Sequence, residues 1–468
     1  MAKYQKYAEY QDSGVEWLGE IPSHWNQTYL KYVVLINMGQ SPSSEDCNID
    51  GIGIPFLQGN AEFGTYSPTA KNYCPIPKKI ADKGDLLFSV RAPVGALNYA
   101  DMQYGIGRGL CSLKSRSSIN SSFLWWVLPT YKYQLDAIAT GSTFEAVSAE
   151  EVANLKFPLP TIVEQQKIAN FLDHETTQID TLIAKQEKLI ELLKEKRQAV
   201  ISHAVTKGLN PNVSMKDSGV EWLGQVPEHW TVKPNKYLLD FVTSGSRGWA
   251  QYYADTGSLF FRIANLTRDT IEPKLESLQF VEPPQGSEGE RSKIKVGDLL
   301  ISITADLGSV CVADTSIGNG YVSQHIALCR PQKLYDSRWL AYYILSDTAK
   351  EQLLGSGYGG TKIQLSLEDI KELVVVVPSQ EEQREIANYI NDKLNQFEHL
   401  INQAYKFVGT LRERRITLIS SAVTGKIDVR NWQNPNDAMV DEPKKGLGTM
   451  LHEQFKEMGL IESGFTQP

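Results

Sequence analysis

Residues 160–170 read PTIVEQQKIAN, and residues 378–388 read PSQEEQREIAN. In each stretch a hydroxyl residue, Thr161 or Ser379, stands three positions before a glutamate. This spacing is a capping box, in which the hydroxyl accepts a hydrogen bond from the N3 amide and the glutamate reaches back to the N-cap amide. The pattern therefore predicts that a helix begins at the same point of two related segments.

A long helix is predicted to follow each of these starts. Between Ile162 and about Val205 the chain contains neither Gly nor Pro and is rich in strong helix formers. Gly208 is expected to end the first helix and Gly425 the second. At ~1.5 Å per residue, about 45 residues make a rod of roughly 65 Å.

Apolar residues recur along both helices at heptad spacing, which is the pattern of a coiled-coil seam. On the first helix one seam position holds, with Gln186 as a polar exception, Leu172, Ile179, Leu193 and Val200. The other seam position is mostly filled by Ile168, Leu182 and Leu189. The second helix repeats the first line of residues with Ile390, Phe397, Ala404, Leu411 and Leu418. A single stripe also fits a helix buried in its own domain. Two matched helices favour pairing with each other, and antiparallel pairing would hold two domains at opposite ends of a spacer.

A second repeat shows that the duplication extends over most of the chain. Residues 12–25 (DSGVEWLGEIPSHW) and 217–230 (DSGVEWLGQVPEHW) are identical at eleven of fourteen positions. The stretches between the repeats are cut into short apolar runs by Gly, Pro, Asn and Ser, as expected for short strands joined by turns. The sequence therefore predicts an α+β protein with two pseudo-symmetric, mostly-β domains separated by an antiparallel two-helix coiled coil.

These observations give five predicted segments. They are a mostly-β domain over residues 1–160, a central helix over 161–210, a second mostly-β domain over 211–378, a second long helix over 379–426 that pairs with the first, and a partly mobile tail over 427–468.

Composition narrows the class of protein. The chain has 468 residues, a net charge of −8 and five cysteines without a CxxC motif, which fits a reduced cytoplasm better than a disulfide framework or a structural zinc site. No apolar run approaches the ~18 residues of a membrane span. The negative charge argues against nonspecific coating of nucleic acid but leaves room for DNA recognition through local basic patches.

Sequence patterns that superficially resemble enzyme motifs lack the spacing or the residue order that the chemistry requires. Gly105-Ile-Gly-Arg-Gly109 lacks the spacing and the βαβ unit of a dinucleotide site, and is predicted to be a turn between strands. In Gly360-Thr361-Lys362 the Thr precedes the Lys, so the pair cannot take the phosphate and magnesium roles of a P-loop. His24 and His229 occupy equivalent repeat positions and are interpreted as parts of a structural turn. No catalytic and no metal-ligating residues are predicted.

The two halves share their scaffold and differ in their loops. Gly84-Asp-Leu-Leu87 matches Gly297-Asp-Leu-Leu300, but the following side chains diverge, beginning with Arg91 in one half and Thr304 in the other. Arg reads guanine and Asn or Gln reads adenine through bidentate hydrogen bonds. Candidate base-reading residues are Arg91, Arg108, Arg262, Asn265, Thr304, Gln324 and His325. Candidate phosphate contacts on the loops before the long helices are Ser142, Thr143, Thr361 and Lys362. For any single one of these, a solvated or structural side chain is the competing interpretation.

Duplicated variable domains that each precede a P-[ST]-x-x-E-Q-x-x-I-A-N helix resemble the specificity subunits of type I restriction-modification systems. The strings SVRAPVG (89–95), ITADLG (303–308) and TGSTFEAVSAEEVANLKFPLP (140–160) are similar to segments of that family's target-recognition domains. The resemblance covers about residues 10–428.

The resemblance implies a prokaryotic, cytoplasmic subunit without catalytic activity that reads a split, asymmetric sequence in double-stranded DNA. Its implied partners are two adenine methyltransferase subunits and, through them, two ATP-dependent endonuclease (translocase) subunits. No cofactor is expected on this chain; S-adenosylmethionine, ATP and Mg are expected on the partners. Candidate partner-docking residues off the predicted seam are Ile183, Ile190 and Ile401, with the basic residues Lys194, Arg197, Arg412 and Arg415. Solvation near a helix C-terminus accounts for the basic residues equally well.

Two other interpretations stay open on the residues alone. One is a coiled-coil scaffold with two protein-binding domains, and the other is a self-contained DNA-modifying enzyme.

Overall fold

The protein is a mixed helix-and-sheet structure in two compact units. A computed structural model describes residues 4–43, 46–139, 146–245, 247–283, 286–355 and 364–435. The first unit comprises residues 1–183 and 409–468, and the second comprises residues 184–408. Each unit therefore contains the start of one long helix and the end of the other. The tail predicted to be mobile lies outside the described residues from position 436 onwards.

The strands and helices of the first repeat are short until the long helix is reached. Its strands are β1 (Tyr10–Asp12), β2 (Glu20–Pro22), β3 (Asn26–Tyr29), β4 (Val34–Met38), β5 (Ile54–Leu57), β6 (Asn72–Cys74), β7 (Ile80–Ala81), β8 (Leu86–Ser89), β9 (Leu97–Tyr99), β10 (Tyr104–Ile106), β11 (Leu110–Ser115) and β12 (Lys156–Leu159). Its α-helices are α1 (Leu30–Val33), α2 (Ser121–Val127), α3 (Lys132–Ala139), α4 (Ala149–Ala153) and the long α5 (Ile162–Lys207).

The second repeat has a closely matching set of elements. Its strands are β13 (Met215–Asp217), β14 (Gln225–Pro227), β15 (Thr231–Pro234), β16 (Leu239–Ser244), β17 (Tyr253–Ala254), β18 (Ser258–Phe261), β19 (Phe280–Val281), β20 (Leu299–Ser302), β21 (Val310–Val312), β22 (Tyr321–Val322), β23 (Ile326–Pro331) and β24 (Val374–Val377). Its α-helices are α6 (Ser287–Ser292), α7 (Ser337–Leu345), α8 (Asp347–Leu354), α9 (Leu367–Glu372) and the long α10 (Gln380–Val423).

The sheets of the two units correspond in their central strands. The sheet β4-β11-β8-β9 of the first unit matches β16-β23-β20-β21 of the second. A second four-stranded sheet in each unit contains one parallel pair, β5 with β10 and β18 with β22. The strand before each long helix, β12 or β24, pairs with the strand that follows the repeated motif, β3 or β15. The structure confirms that both duplicated regions combine helix and sheet.

The repeated Trp25 and Trp230 anchor equivalent corners of the two cores. Each is 1% exposed, and each packs where a long helix ends in a left-handed glycine. A Cβ placed on Gly425 (φ 74°) would lie 2.3 Å from Pro22 Cδ and 3.1 Å from Trp25 Cη2. A Cβ on Gly208 (φ 80°) would lie 3.3 Å from Trp230 Cζ2. The predicted stop signals therefore serve both helix termination and close packing.

The starts of the long helices are tied to the same corners. Glu382 forms the full predicted capping box with Ser379 and also accepts from His229 at 2.8 Å. Burial tends to raise the pKa of the Glu382 carboxyl, but hydrogen bonds from His229, Trp230 and Ser379 outweigh burial and lower it. In the first unit the Glu164 amide donates to Thr161 Oγ1 as predicted, while its carboxylate accepts from Tyr7 at 2.6 Å and lies 3.1 Å from His24. The interpretation of both histidines as structural agrees with these contacts.

The first long helix was predicted to bury two lines of residues, one for each seam position. The structure differs from this prediction in one of the two lines. Leu172, Ile179 and Leu193 are buried as predicted, but Leu182 is 41% exposed. Ile190 is buried, and Ile183 packs against the core of the first unit. Ile168, at the start of the predicted second line, is buried as predicted, but from Ile183 onwards the second line follows the first by four residues and not by three. Heptad spacing alone allows both choices.

Within each unit, the parts of the two long helices run antiparallel. In the first unit Arg415 Nε on α10 donates to Asp180 Oδ1 at 2.8 Å, and Lys167 Nζ donates to Arg430 O beyond the end of α10, so the partner number falls as the number on α5 rises. In the second unit Lys194 Nζ contacts Tyr405 Oη at 3.3 Å. Further along α5, one core contains residues from both helices, namely Ile201, Ala204, Val205, Ile386, Ala387 and Ile390. Among the described residues, no helix is both long and apolar enough to cross a membrane.

Candidate nucleic-acid interface

A cluster of three loops forms one exposed site in the first unit. The loops follow β5, follow β8 and join β10 to β11. Gly107 N donates to Leu57 O at 2.8 Å, and Val90 N donates to Gly109 O at 3.0 Å, which fastens the three loops together. Residues 107–109 of the GIGRG motif thus form a turn between β10 and β11, as predicted, and its first two residues end β10.

The glycines of that turn permit the close approach. A Cβ on Gly107 would lie 2.8 Å from Gln58 Oε1, and one on Gly109 would lie 2.7 Å from Gln58 O. A Cβ on Gly39 would lie 2.1 Å from Gly107 O. Any larger residue at these positions would push the loops apart. Arg108, between the two glycines, is the exposed side chain that the turn presents.

The loop cluster brings together two arginines that were predicted separately. Arg91 and Arg108 are both exposed and line one cleft of about 400 Å³. The cleft also contains the amide side chains of Gln58 and Asn60 and the carboxylate of Glu62. Gln58 Nε2 donates to Ser41 Oγ at 2.7 Å, which orients its amide. Sequence comparison missed Gln58 and Asn60 because the stretch around them has no recognisable counterpart in the second half.

The second unit repeats the backbone frame of this cluster. Ser323 N donates to Phe261 O at 2.9 Å, and Ile303 N donates to His325 O at 3.1 Å. These bonds reproduce the two that fasten the first cluster. A further pair also matches, because Val147 N donates to Val90 O at 2.9 Å and Leu365 N donates to Ile303 O at 2.8 Å. The two clusters are therefore equivalent in their main chain.

The side chains on this common frame differ between the units. Thr304 stands where the first unit has Arg91, Gln324 stands where it has Arg108, and Arg262 stands where it has Gln58. His325 joins two of them, with Thr304 Oγ1 3.1 Å from its Nδ1 and Gln324 Nε2 3.0 Å from its Nε2. Each unit therefore offers a different set of donors and acceptors from the same positions.

Arg262 and Asn265 stand at the two ends of one turn and differ in their hydrogen bonding. The buried Arg262 Nε has no hydrogen-bond partner within the described ranges. Asn265 is 0% exposed, accepts from Arg262 N at 2.9 Å and donates to the carbonyls of Lys274 and Ser277. All these bonds are internal, so Asn265 shapes the turn and presents no group to a ligand. The prediction that Asn265 reads bases is therefore wrong.

Arg268 fixes the loop after β20 and was also missed by sequence comparison. Its guanidinium pairs with Asp306 at 2.5 Å and donates to Leu307 O at 3.0 Å. Asp306 has a φ of 50°, a left-handed conformation that costs energy in a residue with a side chain. The ion pair holds the loop that begins at Thr304.

The four predicted phosphate contacts, Ser142, Thr143, Thr361 and Lys362, lie outside the described residues. The segments that follow them reach the two clusters. Ala146 forms an isolated bridge with Arg91, and Leu365 bonds to Ile303 as described above.

The predicted partner-docking residues on the long helices divide into buried and paired groups. Ile190 and Ile401 are 5% and 7% exposed and lie on the buried line four residues after the first seam line, so they are not off the seam as predicted. The basic residues are engaged within the chain. Arg197 pairs with Asp269, Arg415 pairs with Asp180, and Lys194 lies 5.8 Å from the Tyr405 ring centroid. Arg412 also makes a contact within the chain.

Apolar side chains that do face outward on the long helices are different ones. Leu182, Tyr389, Phe407 and Ile416 are each more than a third exposed, and Ile416 reaches 68%. Within the described residues, no group of three or more His, Cys, Asp or Glu side chains is placed to hold a metal ion.

Comparison with known proteins gives a consistent result. A family model described as the type I restriction modification DNA specificity domain matches residues 22–192 and 285–405, more than half of the chain. The putative type I restriction enzyme MjaX specificity subunit of Methanocaldococcus jannaschii is 37% identical over 193 residues, which span 40% of this chain and 44% of that protein. The type I restriction enzyme EcoBI specificity subunit of Escherichia coli is 22% identical over 446 residues, 92% of this chain and 91% of that protein.

Two solved structures share the fold. A chain from a study of complex assembly and conformational transition of the type I R-M system has a TM-score of 0.69 at 18% identity, over 87% of this chain and 99% of that chain. The crystal structure of the HsdS subunit from Thermoanaerobacter tengcongensis has a TM-score of 0.54 at 18% identity, over 87% of this chain and 98% of that chain.

Proposed function

The chain belongs to the type I restriction-modification DNA specificity family, and from this membership we propose that its two loop clusters read the two halves of one split, asymmetric DNA sequence. The observation that carries the proposal is a common main-chain frame with different side chains. A duplex presents the same groove geometry to both frames, while the side chains decide which bases are accepted.

The chemistry of each cluster suits base edges. In the first unit Arg91 and Arg108 offer bidentate donors for guanine, and Gln58 and Asn60 offer amides of the kind that pair with adenine. In the second unit Arg262 and Gln324 provide one residue of each kind, and Thr304 and His325 add a hydroxyl and an imidazole. Each good bidentate pair discriminates by ~1–3 kcal/mol.

The long helices are proposed to form a continuous antiparallel coiled coil that spaces the two clusters. The antiparallel contacts within each unit and the matched buried lines on α5 and α10 support this role. We further propose that two methyltransferase subunits dock on this helical region and that two endonuclease subunits join through them. The outward-facing Leu182, Tyr389, Phe407 and Ile416 replace the buried isoleucines as docking candidates.

The chemical steps are assigned to those partners. In this proposal S-adenosylmethionine, ATP and Mg bind to the methyltransferase and endonuclease subunits, as the family resemblance implies, and this chain supplies recognition. Methyl transfer to DNA by the isolated chain, measured with labelled S-adenosylmethionine, would contradict this assignment.

The test compares base discrimination in the two half-sites. The complex with methyltransferase is first used to select its target from random duplexes, and single-base variants of each half are then titrated. Arg91→Ala is expected to lose discrimination about 5- to 150-fold at one half-site and to leave the other unchanged. Thr304→Ala with Gln324→Ala is expected to affect the other half-site.

Arg116→Ala is the matched control. Arg116 is exposed and directly follows β11, at the end of the strand opposite Arg108. It should change neither half-site. An equal loss of affinity for every sequence in Arg91→Ala would make Arg91 a phosphate contact instead, and unchanged binding in both cluster variants would contradict the proposal.

A further inference from the structure

Two cysteines of the first unit occupy facing positions on neighbouring chain segments. Asn48 and Tyr73 form an antiparallel bridge in which each amide donates to the other's carbonyl, at 2.9 and 2.8 Å. A pair that exchanges both bonds is followed by a pair without hydrogen bonds, in which the Cα atoms approach to ~4.5 Å. Cys47 and Cys74 form that next pair.

The two side chains are close enough to interact, since Cys74 contributes to the raised pKa of the Cys47 thiol. Disulfides need Cα separations of ~4.4–6.8 Å and Cβ atoms on the same side, and facing residues of a non-hydrogen-bonded pair meet both conditions. The bridge could therefore close without a rearrangement of the main chain.

The two thiols differ in access. Cys74 is 0% exposed, whereas Cys47 is half-buried at the end of a loop. Burial, with a smaller effect of the neighbouring Cys74, raises the pKa of the Cys47 thiol above its ordinary value. Little thiolate is then present at neutral pH, so the thiol reacts slowly but reaction speeds up as the pH rises.

The remaining cysteines have no such arrangement. Cys111, Cys311 and Cys329 are each 0% exposed in sheet strands. Burial raises the pKa of the Cys111 and Cys329 thiols to about 12. They serve as internal controls in the same chain.

We propose that Cys47 and Cys74 are a redox-sensitive pair that forms a reversible disulfide with a two-electron oxidant such as hydrogen peroxide. The Cys47 thiolate attacks one peroxide oxygen, the O–O bond breaks, and hydroxide leaves to give a sulfenic acid at Cys47. The Cys74 sulfur then attacks the Cys47 sulfur and forms the S–S bond, and the sulfenic oxygen leaves as water. In total two thiols and one peroxide give one disulfide and two waters.

The disulfide would close a loop that carries part of the first cleft. Between Cys47 and Cys74 lie β5, Gln58 and Asn60. Because the two residues already face each other next to the Asn48–Tyr73 bridge, the disulfide should stabilise the segment and leave the cleft in place. This functional consequence rests on the proposed reading of DNA by that cleft, whereas disulfide formation itself does not.

The test treats the full chain with dilute hydrogen peroxide under native conditions and maps peptides without reduction. A cross-linked peptide joining Cys47 to Cys74, with the loss of two hydrogen atoms and complete reversal by a thiol reductant, is expected. The rate should rise from neutral to mildly alkaline pH. The thermal transition of the oxidised chain should move up by about 5–10 °C.

Cys47→Ser is the matched variant, because it removes the accessible thiol and keeps the other four cysteines. It should fold, show no cross-link and show no shift of the transition. Sulfinic or sulfonic acid at Cys47 without a bridge, or a bridge that forms only after unfolding, would overturn the proposal. The DNA test is separate: in complex with methyltransferase, sequence-specific binding is expected to stay within about twofold on oxidation. A reduced complex without sequence-specific binding would instead contradict the proposed function.

Discussion

At the level of single residues, the two repeats differ in the partners of a buried aspartate at equivalent positions. Asp85 and Asp298 precede the equivalent strands β8 and β20, and their carboxyls are buried. Asp298 has a bidentate partner, with Arg330 Nε and Nη2 both at 2.7 Å. In the first unit Lys114 stands at the position of Arg330 but bonds to Asp82 at 2.9 Å. Burial therefore raises the pKa of Asp85, and the Asp82 amide and Lys114 offset this only in part.

This difference predicts opposite outcomes for one substitution. Asp298→Asn should destabilise the second unit by about 2 kcal/mol, because it leaves Arg330 without its charge partner in a partly buried site. Asp85→Asn should be neutral or stabilising at neutral pH, because it removes a buried charge and keeps the acceptor for the Asp82 amide. Urea midpoints, with hydrogen exchange to separate the units, measure both. Equal destabilisation by the two changes would contradict the argument.

The same pair predicts a pH dependence. A carboxyl whose pKa is raised on folding binds its proton more tightly in the folded state. Stability from Asp85 is therefore greatest below its unfolded pKa, falls as the pH rises through the folded pKa and is constant above it. Asp85→Asn should abolish that fall in mildly acidic buffer, and a pH profile identical to that of the parent chain would show that Asp85 does not titrate in this window.

At the level of elements, the glycines that end the long helices should differ in their tolerance of a side chain. Gly425→Ala adds left-handed strain and a Cβ 2.3 Å from Pro22 Cδ, and should cost about 3 kcal/mol. Gly208→Ala adds the same strain but meets Trp230 only at 3.3 Å, and should cost about 1–2 kcal/mol.

Gly409→Ala provides the control within α10. Gly409 is helical, exposed and has no atom within 4 Å of an added Cβ. Its replacement should stabilise the chain by about 0.5–1 kcal/mol through helix propensity. Thermal or urea unfolding of the three variants gives the comparison, and equal costs at Gly425 and Gly208 would show that the corner around Pro22 and Trp25 is not tightly packed.

The elements also show what the sequence could predict. Helix starts and stops followed from local rules, because capping residues and left-handed glycines act within one turn of the helix. The second line of buried residues on α5 could not be predicted from local rules, because a line three residues or four residues after the first is equally compatible with heptad spacing. Only the packing of Ile190 inside the protein, with Leu182 left outside, decides between them.

The candidate interface was predictable to a similar extent. Arg91 and Arg108 were found because they are base-reading side chains in stretches where the two halves diverge. Gln58 and Arg268 were not found, because their role depends on loops that meet only in the folded sheet. Asn265 was assigned from its side-chain type, and the fold uses that amide to bond one backbone group of its own turn and two of the segment at Lys274 and Ser277.

At the level of the whole molecule, duplication explains why both units draw on both repeats. The start of α5 and the end of α10 belong to the first unit, and the end of α5 and the start of α10 belong to the second. A helix that leaves one unit must therefore end in the other. Under the proposed function, the length of the two helices then sets which spacing of half-sites can be read.

Insertion of one heptad into both helices tests this relation. Equivalent exposed points are available after Lys188 on α5 and after Lys406 on α10. Seven residues add ~10 Å of helix, and DNA rises 3.4 Å per base pair. The unread gap, expected at roughly five to eight base pairs for modules one turn apart, should lengthen by about three base pairs. Target selection with the methyltransferase complex measures the gap directly.

Two control insertions distinguish a change in half-site spacing from a loss of folding. A heptad inserted into only one helix leaves its partner too short, so the lines of buried residues no longer match and specific binding should fall on every spacing. Five residues inserted into both helices turn the buried line by about 140° away from its partner and should weaken folding. A double-heptad variant that folds and still selects the original gap would contradict the proposed spacer role, because the half-sites would then be positioned by something other than the length of the helices.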